Sequence, residues 1–110
     1  MQNRDLALKF VQCFCDGDID GIKHLLAPDL RFRGPLLAFD SAAAYCDALQ
    51  KDPPEQCNYR ILSLTEGEEQ VAVFYELNKD GHTLPIAQLF TIRDGLIAEI
   101  LLIFDSSDFK

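Results

Sequence analysis

At 110 residues the chain fits one domain with a real core but barely a second, since a domain of this size buries roughly two-thirds of the surface its unfolded chain exposes. Hydrophobic residues at 48% and charged residues at 25% exclude a disordered chain, and the net charge of −8, from 18 acidic against 10 basic residues, works against nucleic acid or an anionic membrane as partner. No apolar run approaches the roughly 20 residues that span a bilayer, and the N-terminal MQNRDLALKF has no basic patch leading into a signal-peptide core, so a cytoplasmic protein is expected.

In chain order, Leu6, Phe10, Val11 and Phe14 recur at helical spacing, which predicts an amphipathic helix from Asn3 to Cys15 with Asn3 as a candidate N-cap. Gly17 suits the left-handed position that ends it. Asp18 can cap a second helix running to Ala27 with Ile19, Ile22, Leu25 and Leu26 on its apolar face, stopped by Pro28-Asp29. A short strand over 30–33 follows and breaks at Gly34-Pro35. Asp40 or Ser41 opens a third helix, Ala42 to Gln50, and Asp40 is the expected cap; Lys51 to Glu55 is a solvated turn. Strands are expected over Cys57–Thr65 and Gln70–Leu77, joined by Glu66-Gly67-Glu68-Glu69, and Asp80-Gly81 makes a second reversal.

The stretch that organises the fold is Leu84 to Phe104, two strands reversed at Arg93-Asp94-Gly95. Both arms are apolar on both faces: Ile86, Phe90 and Ile92 against Ala87 and Leu89, then Ile100, Leu102 and Phe104 against Leu101 and Ile103. A sheet with one wet face would carry a polar set there, so helices are expected to cover one side and a second subunit the other. The tail from Ser106 to Lys110 is polar and expected to fray. Three helices with one early strand among them, followed by four antiparallel strands, make an α+β domain whose concave side is the natural ligand site.

Cys13, Cys15, Cys46 and Cys57 lack metal-site spacing, and with His24 and His82 far apart no zinc site or other metal is expected. Cys13 and Cys15, two apart on a helix, point about 200° from each other and cannot pair. All four read as small thiols in a reducing compartment.

The segments Asp16-Gly17-Asp18-Ile19-Asp20-Gly21-Ile22, Leu25 through Pro35, and Phe90-Thr91-Ile92-Arg93-Asp94-Gly95-Leu96-Ile97, in that order, resemble the nuclear transport factor 2-like superfamily, and within it SnoaL-like domains. The resemblance covers about residues 6–105 and implies a single SnoaL-like domain over 1–110. It implies three N-terminal helices on a strongly curved, mainly antiparallel sheet, a cone-shaped half-barrel with an internal cavity, and a homodimer through the outer sheet face. Because this scaffold hosts isomerases, cyclases, dehydratases and non-enzymatic binders, the resemblance does not assign a reaction.

The acid/base positions of ketosteroid isomerases align with Gly34, Phe10 and Gln88, none of which can exchange a proton with substrate. The expected ligand-binding set is Phe10, Phe14, Phe32, Ile100, Leu102 and Phe104 as apolar lining, with Leu6 and Val73 beside them and Tyr75 and Gln88 as polar anchors. Tyr75 is either a ligand donor or a structural hydrogen bond; Gln88 is a pocket residue or sits at the dimer seam. Tyr59 has ambiguous parity. Arg31 or Arg33 could reach the cavity mouth or be solvated, His82 reads as surface and His24 as boundary. Glu76 and Glu99 fall on the outer face, where they pair across a dimer with an arginine such as Arg60 or stay solvated.

The leading expectation is a homodimeric protein that binds a small apolar, carbonyl-type molecule without a cofactor. The alternatives are an isomerase, cyclase or dehydratase on an enolisable substrate, with Asp29, Asp40 or His82 recruited as base, and an interaction module whose cavity is filled by Phe10, Phe14, Phe32, Phe90 and Phe104.

Overall fold

The computed structural model describes residues 1–107. Helices α1 (Asn3–Asp16), α2 (Ile19–Lys23) and α3 (Ala42–Lys51) cover the concave face of a six-stranded sheet. The strands are β1 (Leu26–Arg33), β2 (Ala38–Phe39), β3 (Asn58–Glu66), β4 (Gln70–Lys79), β5 (His82–Arg93) and β6 (Leu96–Ile103), in the spatial order β2-β1-β6-β5-β4-β3. Only β1 and β6 run parallel; the other neighbours are antiparallel.

The reversals follow the Asp-Gly chemistry. Asp80 and Gly81 have φ of 52° and 80°, Asp94 and Gly95 of 55° and 76°, the two successive left-handed positions of a tight hairpin. Register shifts between Leu26 and Arg31, Ile61 and Ser63, and Thr91 and Ile92 insert bulges, which bend the strands and curl the sheet around the helices. Val71, Val73 and Tyr75 of β4 and Ile86, Gln88, Phe90 and Ile92 of β5 point inward and are buried. On the other face Phe74, Leu101 and Ile103 are 47%, 43% and 57% exposed.

Several boundaries differ from expectation. Asn3 is already helical: the Gln2 carbonyl accepts from the Asp5 and Leu6 amides, so α1 starts without a side-chain cap. Gly17 at φ 72° ends it as expected, with Asp18 N donating to Cys13 O at 2.8 Å. Helix α2 stops at Lys23 instead of Ala27, because Ile97 N donates to Leu25 O at 2.8 Å and Leu26 pairs with Ile97, drawing 26–33 into the sheet with Pro28 at its bulge. Ser41, not Asp40, caps α3, its Oγ accepting from Ala44 N at 3.0 Å, while Asp40 is held by Arg33 at 2.7 Å. The two-residue β2 escaped the sequence pattern because it is too short to alternate. Arg60 and Glu76, opposite each other on β3 and β4, pair within the chain at 2.7 Å instead of across a subunit boundary. Of the tail expected to fray, Ser107 N donates to Asp105 Oδ1 at 3.0 Å, and 108–110 lie outside the described residues.

Candidate functional site

Helical spacing builds one wall of a cavity. Phe10 and Phe14, four apart on α1, and Tyr45 and Leu49, four apart on α3, aim at the concave sheet, where Tyr75, Leu77, Ile86, Gln88 and Leu102 face them. Phe104 and the Gly34–Leu37 segment complete a space of about 520 Å³, within the range of small-molecule sites. Phe32 stacks on Tyr45 with ring centroids 4.8 Å apart, and Phe39 meets it edge-on at 5.6 Å. Leu36 and Leu37 belong to the wall yet are largely exposed, which places them at the mouth.

The wall is apolar except at its polar end. The Tyr75 hydroxyl donates to Gln88 Oε1 at 2.7 Å across β4 and β5, a diagonal pair, since Tyr75 stands opposite Ile86. Both residues are buried, at 3% and 4% exposure. With its oxygen engaged, the Gln88 amide keeps its two N–H donors, and among the described residues they meet no protein acceptor. The Tyr45 hydroxyl likewise has ring contacts but no hydrogen-bond partner there. Among the described residues no fully buried side-chain N or O atom lacks a partner, so these two donors keep contact with open space. Burial pushes the Tyr45 and Tyr75 hydroxyls well above the ordinary tyrosine range, which keeps them neutral donors at physiological pH. Among the described residues, the one carboxylate on the wall is the exposed Asp52, just past the end of α3.

Of the residues expected to line a ligand site, Phe10, Phe14, Phe32, Tyr75, Gln88, Leu102 and Phe104 stand on the wall. Ile100 does not: flanked in the sheet by Phe32 and Phe90, it is 1% exposed and packed into the core. Leu6 and Val73 are core residues as well. Tyr45, Leu49 and Phe39 were not anticipated. The i, i+4 spacing of Tyr45 and Leu49 was the available signal, but nothing local says which way α3 rolls.

The other candidates lie elsewhere. Arg33 donates to Phe32 O, Phe39 O and Asp40, bracing the β1–β2 corner, and Arg31 is exposed. Asp29 pairs with Arg93 at 2.6 Å, His82 is an exposed residue at the start of β5, and His24 Nδ1 is 2.7 Å from Asp20 O. Tyr59 sits half-buried in a separate shallow cleft beside α1. Among the described residues no cluster of three His, Cys, Asp or Glu side chains is placed to hold a metal.

Gly34, Phe10 and Gln88, which the resemblance aligns with an isomerase's acid/base positions, all reach the cavity. A Cβ on Gly34 would come within 3.2 Å of the Phe32 ring, so the first position also lacks room for a side chain unless that ring yields.

The SnoaL-like domain family matches residues 7–100 of the chain. No curated protein shows significant sequence similarity to it. Among solved structures, a nuclear transport factor 2-like protein of unknown function from Cytophaga hutchinsonii superposes with a TM-score of 0.84 at 22% identity, over 99% of this chain and 95% of that one. A candidate ketosteroid isomerase from Kribbella flavida gives a TM-score of 0.80 at 21% identity, over 93% of this chain and 76% of that one. TerC, co-crystallised with polyporic acid, gives 0.79 at 24% identity, over 97% and 94%. At these identities the likenesses speak for the fold alone.

Proposed function

The chain belongs to the SnoaL-like domain family of the nuclear transport factor 2-like superfamily, and from that premise we propose that it works in the cytoplasm as a single-domain binder of a small, uncharged apolar molecule carrying a carbonyl-type acceptor. The observation that carries this reading is the cavity of about 520 Å³ whose inner end, beside the Tyr75–Gln88 hydrogen bond, offers two neutral donors unpartnered among the described residues, the Tyr45 hydroxyl and the Gln88 amide. An acceptor oxygen would restore the hydrogen bonds these donors lack, and the apolar rest of the ligand would displace water from Phe10, Phe14, Phe32, Leu102 and Phe104. A charged ligand would meet no counter-charge on the inner wall and would lose its hydration there.

Two further observations bear on the rival readings. An enolising enzyme needs a base within reach of the substrate, and the carboxylate on this wall, Asp52, stands exposed past the end of α3. Phe10, Phe14, Phe32 and Phe104 line the space instead of filling it, and Phe90 lies beneath them in the core. For assembly, Phe74, Ala87 and Ile103 align across β4, β5 and β6, with Ala72, Leu89 and Leu101 in the next row. A second copy of the chain would cover that apolar strip, giving a homodimer through the outer sheet face.

The test is thermal denaturation with a panel of uncharged apolar carbonyl compounds. A ligand at 100 times its Kd adds about 2.7 kcal/mol, a rise in melting temperature of order 10 °C for a chain of this length. The gain should shrink in Tyr45→Phe and Gln88→Leu. Absence of any gain across the panel overturns the reading.

A further inference from the structure

The cysteines contain a pair that helical geometry alone did not suggest. All four thiols are free, and Cys57, just ahead of β3, is fastened to the end of α1: its N–H donates to Cys15 O at 3.1 Å, and Gln56 Nε2 donates to Asp16 O at 3.3 Å beside it. Adding standard bond lengths to that hydrogen bond bounds the Cα–Cα separation at about 7 Å, and any bend in the path brings it into the window of about 4.4–6.8 Å that a disulfide spans. Both residues line one surface cleft, with Asp16 and Lys79 on its rim. Cys57 is half-buried while Cys15 is 1% exposed, so reagents reach Cys57 first.

We propose that Cys15 and Cys57 form a reversible disulfide and so constitute an oxidation site for hydroperoxides, tying the end of α1 to the start of β3. The Cys57 thiolate attacks the outer oxygen of the hydroperoxide. The O–O bond breaks, the sulfur is oxidised to the sulfenic acid, and the inner oxygen takes up the proton that Cys57 released and leaves as an alcohol, or as water from hydrogen peroxide. The Cys15 sulfur then attacks that sulfenic sulfur: the S–S bond forms, the S–O bond breaks, and water departs with the Cys15 proton. Two thiols and one hydroperoxide become one disulfide, one alcohol and one water.

The electrostatics fit this division of labour. Burial, the repulsion of a Cys57 thiolate and a thiol–thiol hydrogen bond push Cys15 up to about 12, so Cys15 stays a thiol beside its neighbour. The other cysteines are placed differently: Cys13 Sγ points to Asp18 Oδ2 at 3.9 Å, and Cys46 is buried on α3. The new link would close a loop containing α2, β1, β2 and α3, which restricts the unfolded chain.

The experiment treats the full, reduced chain with hydrogen peroxide, counts free thiols after denaturation and maps cross-linked peptides by mass spectrometry. The expected result is loss of two of the four thiols, a mass lower by two hydrogens, a single Cys15–Cys57 cross-link, a higher melting temperature and full reversal by dithiothreitol. Cys57→Ser should abolish the cross-link, whereas Cys46→Ala should leave it intact. Mapping on the unsubstituted protein decides even if a variant misfolds. Oxygen added to a cysteine without a Cys15–Cys57 bridge, pairing of Cys13 or Cys46, or bridges only between chains would overturn the assignment.

Discussion

The hydrogen bond from Tyr75 to Gln88 is the part of the cavity most open to a quantitative test. Tyr75→Phe removes the donor at 2.7 Å and leaves Gln88 Oε1 without one in a site only 4% exposed. Orphaning a buried acceptor costs about 1–3 kcal/mol; because Gln88 faces a cavity that can admit a water, the lower half of that range applies, about 1–1.5 kcal/mol. Unfolding entropy of about 2.1 cal/mol/K per residue makes 1 kcal/mol worth about 4 °C in a chain of this length, so the melting temperature should fall by about 4–6 °C. Gln88→Leu should cost a similar amount by orphaning the Tyr75 hydroxyl. The double variant leaves neither orphan and should be no less stable than the worse single one, a coupling of about 1 kcal/mol. Urea denaturation of the four proteins measures this directly. If the single losses simply add, to within about 0.3 kcal/mol, the two side chains do not bond each other in solution and the polar end of the cavity is arranged differently.

Alkaline titration tests the burial of the phenols and of Cys15. The folded state holds these protons more tightly than the unfolded chain, with Cys15 raised from 9.0 to about 12 and Tyr45 and Tyr75 raised further above 10.0 by burial. Stability is therefore complete below about pH 9 and falls as pH climbs through 9 and 10 toward the folded values. Tyrosinate absorbance should then rise in one cooperative step with loss of circular dichroism; early, non-cooperative ionisation of all three tyrosines would mean the phenols are wet. The outer sheet face is tested by Ile103→Asp, which puts a charge on the apolar strip: sedimentation should find a dimer for the unsubstituted protein and a monomer for the variant. A stable monomer at micromolar concentration for the unsubstituted chain would refute the dimer.

What could be read from the sequence was whatever local chemistry decides. Asp80-Gly81 and Asp94-Gly95 demand left-handed backbone, and the structure has it there. Gly17 ends α1 for the same reason, and period-two alternation grouped Gln88 with Ile86 and Phe90 and Tyr75 with Val71 and Val73, while the resemblance to the family supplied the inward direction of the Tyr75 face. The end of α2 could not be read in this way. Leu25 and Leu26 continue a helical pattern, and what removes them from it is Ile97, far along the chain, whose amide takes the Leu25 carbonyl and whose strand pairs with Leu26. Asp40 was misjudged on similar grounds: Asp and Ser are equally good caps, and the choice fell to Ser41 because Arg33 already holds the Asp40 carboxylate. Tyr45 shows the same limit at the cavity itself, since its phenol belongs to the wall only because β1 and β2 bring Phe32 and Phe39 around it. The face a strand residue takes is thus legible from parity, whereas whether it reaches the cavity or the core, as Val73 and Ile100 show, and how a helix rolls against a distant strand are not. The unpartnered Tyr45 hydroxyl, the least predictable of these groups, is also the one that with Gln88 carries the proposed preference for an acceptor.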